Sequence, residues 1–148
     1  MREMEASDPQ RAAAIRERAR EAIALMRADF PGDPDTGLLA EDEASQDRFF
    51  EHHAGRPCPV LDPATQTCDL YAHRPVSCRT YGPPVRFGGQ DLPPCRLCFQ
   101  GSSPEVIESC RIEPDPDGVE TIILDRQRRE TGESGERLIP WAVASEEP

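Results

Sequence analysis

The chain reads as a small, irregular α+β domain: a few helices around a cysteine- and proline-rich loop region that contains a short β-hairpin. Three observations predict this. Apolar residues recur at helical spacing near the N-terminus, residues 58–98 hold five of the six cysteines, and apolar material is sparse, with aromatics at 5% and charged residues at 30%. At 148 residues the size prior is a single domain with a modest core. It divides into a helical N-terminal part (1–57), a cysteine-rich core that is the candidate for metal binding (58–110), and a C-terminal helix and tail (111–148). A chain short of apolar burial needs a staple, and a structural metal serves as well as a disulfide.

The helices come first. Ser7 with Gln10 three residues on makes a capping box, and Asp8-Pro9 suits a first helical turn. Ile15, Ala19, Ala22, Ile23, Met26 and Phe30 then share one stripe while Arg16, Glu17, Arg20, Glu21 and Arg27 point elsewhere. The spacing predicts a helix over 8–30, ended by Pro31-Gly32, with its stripe packed in the core. After a loop, residues 41–53 form a second helix with Gly55 as its C-cap and Phe49, Phe50 and His53 on an inward face.

Irregular structure follows. Val60-Leu61, the turn Asp62-Pro63-Ala64-Thr65 and Cys68-Asp69-Leu70 read as a hairpin that brings Cys58 and Cys68 close. Arg74-Pro75 opens a short helical turn carrying Ser77, Cys78 and Arg79. Pro83-Pro84 and Pro93-Pro94 hold the chain extended around residues 85–89 and reduce the entropy lost on ordering. Ser102 or Ser103 caps a helix with Pro104 in its first turn, ending at Cys110 before the breaker EPDPDG. Residues 119–129 form a weakly amphipathic helix and TGESGE a loop. Residues 138–144, including Trp141, dock as an apolar edge strand, and the last four residues fray.

The cysteines are separated by nine, nine, sixteen, two and eleven residues from Cys58 to Cys110. Only Cys95-Arg96-Leu97-Cys98 has the two-residue spacing that lets both sulfurs reach one ion. Four thiolates at roughly 2.3 Å close a tetrahedral zinc shell, and such binding is worth roughly 10–16 kcal/mol in small peptide domains, as much as a whole domain's stability. The charge pattern agrees. Residues 58–98 carry three Asp against four Arg (Arg74, Arg79, Arg86, Arg96) in a chain of net charge -11, and nearby arginine favours the thiolate that binds metal. The candidate ligands are therefore Cys58, Cys68, Cys78, Cys95, Cys98 and Cys110. Zinc, iron and an iron-sulfur cluster all suit them, since each accepts a thiolate shell.

Other residues carry less. Arg74 and Arg79 either donate hydrogen bonds around the metal or lock loops by pairing with Asp62 or Asp69. Tyr71 and Tyr81 are packing residues with a bonded hydroxyl. His52-His53 invites a metal reading, but adjacent residues of a helix point in different directions, and histidine near a helix C-terminus is favoured by the dipole in any case. The sequence thus assigns ligation to cysteine. The acidic balance argues against a nucleic-acid or anionic-membrane partner. No run of residues is apolar enough for a membrane span or a signal-peptide core, which predicts a cytoplasmic protein with reduced thiols.

The segments CPVLD and CDLYAHRPVSCRTYG resemble the YkgJ-type cysteine-cluster family, described as a zinc- or iron-chelating domain of bacterial proteins. The matching residues are Cys58, Leu61, Cys68, Tyr71, Arg74, Pro75, Cys78 and Arg79, about the middle fifth of the chain. The resemblance implies that Cys58, Cys68 and Cys78 bind zinc, iron or an iron-sulfur cluster. Cys95, Cys98 and Cys110 rest on spacing alone. Members typically carry an earlier C-x-x-C-x-x-C-C cluster, whereas no cysteine precedes Cys58 here. Either the site is reduced to what six cysteines can hold or the chain begins downstream of the natural start, and the expectation is the second.

Two rivals belong to other classes. By analogy with the cysteine-rich segment of flagellin lysine methylases, the cluster could serve a protein-modifying or redox enzyme, although the chain has no Gly-rich cofactor fingerprint and no phosphate loop. Alternatively Cys95 and Cys98 form a reversible disulfide in a redox-responsive thiol protein, against which PPCRLC lacks the usual strand-helix setting.

Overall fold

The computed structural model describes residues 1–87, 89–95, 98–132 and 135–145. Gly88, Arg96, Leu97, residues 133–134 of the TGESGE loop and tail residues 146–148 lie outside the described residues. The fold is α+β as expected: seven helices and two small antiparallel hairpins among the described residues. The chain forms two compact units, Met1–Leu70 with Ser134–Pro148, and Tyr71–Glu133.

The first unit is built on α2 (Pro9–Met26), preceded by the short α1 (Arg2–Ser7). The cap is Asp8 rather than Ser7: the Arg11 N–H donates to Asp8 Oδ1 at 3.0 Å, while the Ser7 hydroxyl donates back to the Glu3 carbonyl and closes α1. The carboxylate at Asp8 leaves the capping box redundant. The helical stripe is buried as its spacing requires, with Ile15 and Ala19 fully enclosed. Burying a side chain such as Ile15 is worth roughly 1.5–3 kcal/mol. After a 3-10 turn, Arg27–Asp29, the chain enters a two-residue hairpin that the sequence reading lacked, β1 (Gly32–Asp33) with β2 (Leu38–Leu39). Then α3 (Glu43–His52) turns Phe49 inward. Phe50 stays on the surface, 45% exposed, because consecutive helical positions sit about 100° apart and only one can share the face of Phe49.

Residues 138–144 fold as α7 (Ile139–Ala144), not as an edge strand. Pro140 sits in the first helical turn, where its missing N–H costs nothing, and the short helix sends Trp141 and Val143 into the core. Two apolar clusters result: Ile15, Ala19, Val60 and Val143, and Met26, Phe30, Phe49 and Trp141. Phe30 meets Phe49 edge-on at 5.6 Å and Trp141 at 4.5 Å between centroids, and Trp141 Nε1 donates to the Pro34 carbonyl at 2.9 Å. Gly37, at φ +74°, lies under the indole, where a Cβ would come within 2.2 Å of the ring. Only glycine fits there, on both conformation and space.

The second unit is more polar. Pro75 precedes α4 (Val76–Thr80), which carries Cys78 as expected. Instead of a merely extended segment, the proline-flanked stretch forms a hairpin, β3 (Val85–Phe87) with β4 (Gln90–Leu92). Arg86 and Asp91 pair across it at 2.8 Å. A parallel bridge joins Val85 to Ile112. Ser103 caps α5 (Pro104–Ser109), and Cys110 ends it. Finally α6 (Val119–Thr131) starts where Asp115 accepts the N–H groups of Glu120 and Thr121 at 2.9 and 3.1 Å.

Candidate metal centre

Cys58 and Cys68 are positioned by the first unit. The Leu61 N–H donates to the Cys58 carbonyl at 3.0 Å, Leu61 bridges to Cys68, and Asp62 accepts from Ala64 N–H and the Thr65 hydroxyl to close the turn. These bonds hold the Asp62 carboxyl below its ordinary range, the Ala64 N–H contributing most. The expected close approach of the two segments is thus present. Both cysteines pack beside the Ile15 cluster. What fixes the hairpin to α2 is Asp69, whose side chain is 2% exposed and which accepts from Arg11 and Arg18, Arg18 also donating to the Pro59 carbonyl at 2.8 Å.

In the second unit Cys78 lies in the first turn of α4, its N–H donating to the Pro75 carbonyl at 3.1 Å. Two arginines, Arg74 and Arg79, flank it. Arg79 reaches back to the Arg74 and Ala72 carbonyls at 2.9 and 2.7 Å, and Arg74 lies over the Tyr71 ring at 4.2 Å. Arg79 therefore braces the loop before α4 through backbone carbonyls.

Cys95 and Cys98 come together. The Cys98 N–H donates to the Cys95 carbonyl at 3.0 Å and the Cys95 N–H to the Gly82 carbonyl at 2.9 Å. The Cys98 thiol is pushed up from its ordinary value, chiefly by its side-chain hydrogen bond with Cys95. Gly82, at φ +133°, backs the pair, where a Cβ would lie 3.4 Å from Cys98 Sγ. Cys110 is exposed at the end of α5. Among the described residues, neither unit gathers three cysteine sulfurs within 4.8 Å of one another.

A different triad is gathered. Asp29, His52 and His53 present one ligand atom each, all within 4.8 Å of one another. Asp29 accepts from His52 Nδ1 at 2.7 Å and from His53 Nε2 at 3.0 Å. These bonds, that of His53 first, hold the Asp29 carboxyl below its ordinary range. The sequence argument that adjacent histidines diverge does not hold here. The helix ends at His52, and His53 is its C-cap at φ -97°, ψ 9°, so the chain leaves the helical path between them and their rings lie 4.5 Å apart. His53 is buried and Arg56 Nε donates to its Nδ1 at 2.9 Å. Asp29 carried no signal in the sequence, because its partners lie more than twenty residues away and meet it only through the packing of Phe30 on Phe49.

The family model of the CxxCxxCC type, described as "Putative zinc- or iron-chelating domain", matches residues 21–98. That is more than half of the chain. The chain belongs to this family. The match spans the triad and five cysteines, Cys58 to Cys98, and stops before Cys110. Within it the one C-x-x-C is at Cys95 and Cys98, so the tight four-cysteine run of the family's title is absent from this sequence. No curated protein and no solved structure matches the chain. Family membership supports metal binding with zinc or iron as the ion. Among the described residues, no helix is long and apolar enough to cross a membrane.

Proposed function

We propose that the protein binds zinc or iron, as an ion or an iron-sulfur cluster, through cysteine thiolates, with Cys95 and Cys98 as the anchoring pair. Cys58, Cys68, Cys78 and Cys110 are the further candidate ligands. The observation that carries this reading is the second unit's lack of a core. Among its described residues only Gly82 and Pro84 are buried, while Tyr71, Tyr81, Ile122 and Ile123 are each more than half exposed. A unit of about sixty residues seldom stands on so little burial without a staple, and four of the six cysteines lie in it. The donor chemistry fits. Beside Cys95 the Cys98 thiol is pushed up from its ordinary value, and a bound cation would favour the thiolate form. Ligation by sulfurs of this unit would then couple metal binding to its folding. Reduced thiols suit a reducing compartment such as the cytoplasm.

The test is elemental analysis and a visible spectrum of protein purified without oxygen. Stoichiometric zinc with no colour, or iron with thiolate absorption, is expected, and Cys95→Ser with Cys98→Ser should remove it. Protein that takes up neither metal, even after reconstitution, while its cysteines stay fully reactive to thiol reagents, overturns the reading. The Cys95–Cys98 contact also favours a second reading, a reversible disulfide. Loss of two thiols on mild oxidation in the metal-loaded protein would select it.

A further inference from the structure

The triad at the end of α3 is chemically unlike the thiolates. We propose that Asp29, His52 and His53 form a second metal site, which takes a borderline divalent transition ion through two imidazoles and one carboxylate. That donor set, with positions left open, suits iron(II) and zinc rather than calcium or magnesium. Three features argue for a site rather than a chance ion pair. Packing does not explain the placement of His52, whose side chain is 69% exposed, yet its Nδ1 is aimed at Asp29. The two rings approach one carboxylate from adjacent positions, so their nitrogens and its oxygens enclose a common point. Asp29 and His52 also line an open cavity of about 370 Å³, with Pro31, Ser45 and Arg48 in its wall. It gives an ion a way in and leaves room for water on the open positions.

The same geometry names a competitor. Because Arg56 Nε donates to His53 Nδ1, that nitrogen is an acceptor and the ring proton sits on Nε2, facing Asp29. Ligation through Nε2 needs the proton on Nδ1 instead, so Arg56 has to release the ring. His52 meets no such obstacle, since its Nε2 can take the proton when Nδ1 binds. Arg56 therefore holds His53 in the tautomer that bonds Asp29, and adds a positive charge that repels the ion. It is a positioning residue that sets affinity, as groups bonded to a ligand's far nitrogen commonly do by 10–100-fold.

Cobalt(II) separates this site from the thiolates. Thiolate-bound cobalt shows strong sulfur-to-metal charge transfer in the near ultraviolet, whereas nitrogen- and oxygen-bound cobalt shows only weak visible bands. Titration of the full chain should reveal one equivalent of the weak type. His52→Ala, which removes an exposed ring and leaves the core untouched, should abolish that equivalent with charge transfer unchanged. Arg56→Gln should tighten it about tenfold. Cys95→Ser with Cys98→Ser should weaken charge transfer and spare the weak bands, so the two sites fail separately. If His52→Ala binds as much cobalt as the parent with the same bands, or Arg56→Gln leaves the affinity unchanged, Asp29 merely ties down the end of α3 and the proposal is wrong.

Discussion

Apart from Pro84, the buried apolar side chains among the described residues, from Ala12 to Val143, lie in the first unit. There Ile15 and Trp141 anchor two clusters, and even the Cys58–Cys68 hairpin is held by α2 through Asp69. The second unit has secondary structure without such an interior: a hairpin clamped by Arg86 and Asp91, helices capped by Ser103 and Asp115, and the apolar residues of α6 facing outward. Caps and surface ion pairs contribute roughly 1 kcal/mol or less each, too little to offset the entropy of ordering about sixty residues. The contrast teaches that apolar burial accounts for one unit, while the other needs a further source of stability, which the proposed thiolate site would supply.

Removing metal should separate the two units most. If a thiolate-bound ion stands in for a core, chelation deprives the second unit of an effect on the order of 10 kcal/mol. Hydrogen exchange should then accelerate at residues 71–98 while the interior of α2 keeps its protection. Cys78→Ser should lower metal content and melting temperature together. Exchange that is unchanged in the cysteine region would leave the second unit's stability without a source and remove the distinction.

A core substitution probes the other side. Trp141→Ala deletes the ring that meets Phe30 and bonds Pro34, and should cost about 3–5 kcal/mol, read as a lower urea midpoint. Ile122→Ala, at a position 64% exposed, should change stability by less than about 0.5 kcal/mol. Equal losses from the two would mean that α6 is covered after all and that the units are alike.

How much of this was readable in the sequence follows the same division. The α2 stripe, the hairpin of Val60-Leu61 with Cys68-Asp69-Leu70, the turn at Cys78 and a serine cap at 102 or 103 are all legible, because each depends on residues close in sequence. Some misread elements depended on distant partners. Residues 138–144 looked like an edge strand since six residues are too few to display helical periodicity, and only burial of Trp141 beside Phe30 selects the helix. The β3–β4 hairpin was masked by its flanking prolines, although Gly89 at φ +79° marks the turn. At the candidate metal centres the sequence pointed to the cysteines by type and spacing, but Asp29 became a partner of His52 and His53 only through the fold, and the bond from Arg56 to His53, on which its proposed role rests, is visible only in the geometry.

The smallest effect concerns the start of α6, a helix whose apolar residues do little to hold it. Asp115 accepts two backbone N–H groups and the Thr121 hydroxyl. Its carboxyl is held below the ordinary value, first by the Glu120 N–H. A carboxyl whose folded pKa lies under its unfolded one stabilises the fold above the unfolded value, about 3.9, and loses that contribution as pH falls through the folded value. Helicity of α6 should therefore be constant from neutrality down to about pH 5 and decline below about pH 4, followed by circular dichroism. Asp115→Asn, which keeps an acceptor but cannot titrate, should flatten that part of the acid profile. A matching change on acidification in both proteins would assign the loss to the other carboxylates of the unit, Asp91 and Glu108 among them, whose carboxyls their arginine partners likewise hold low.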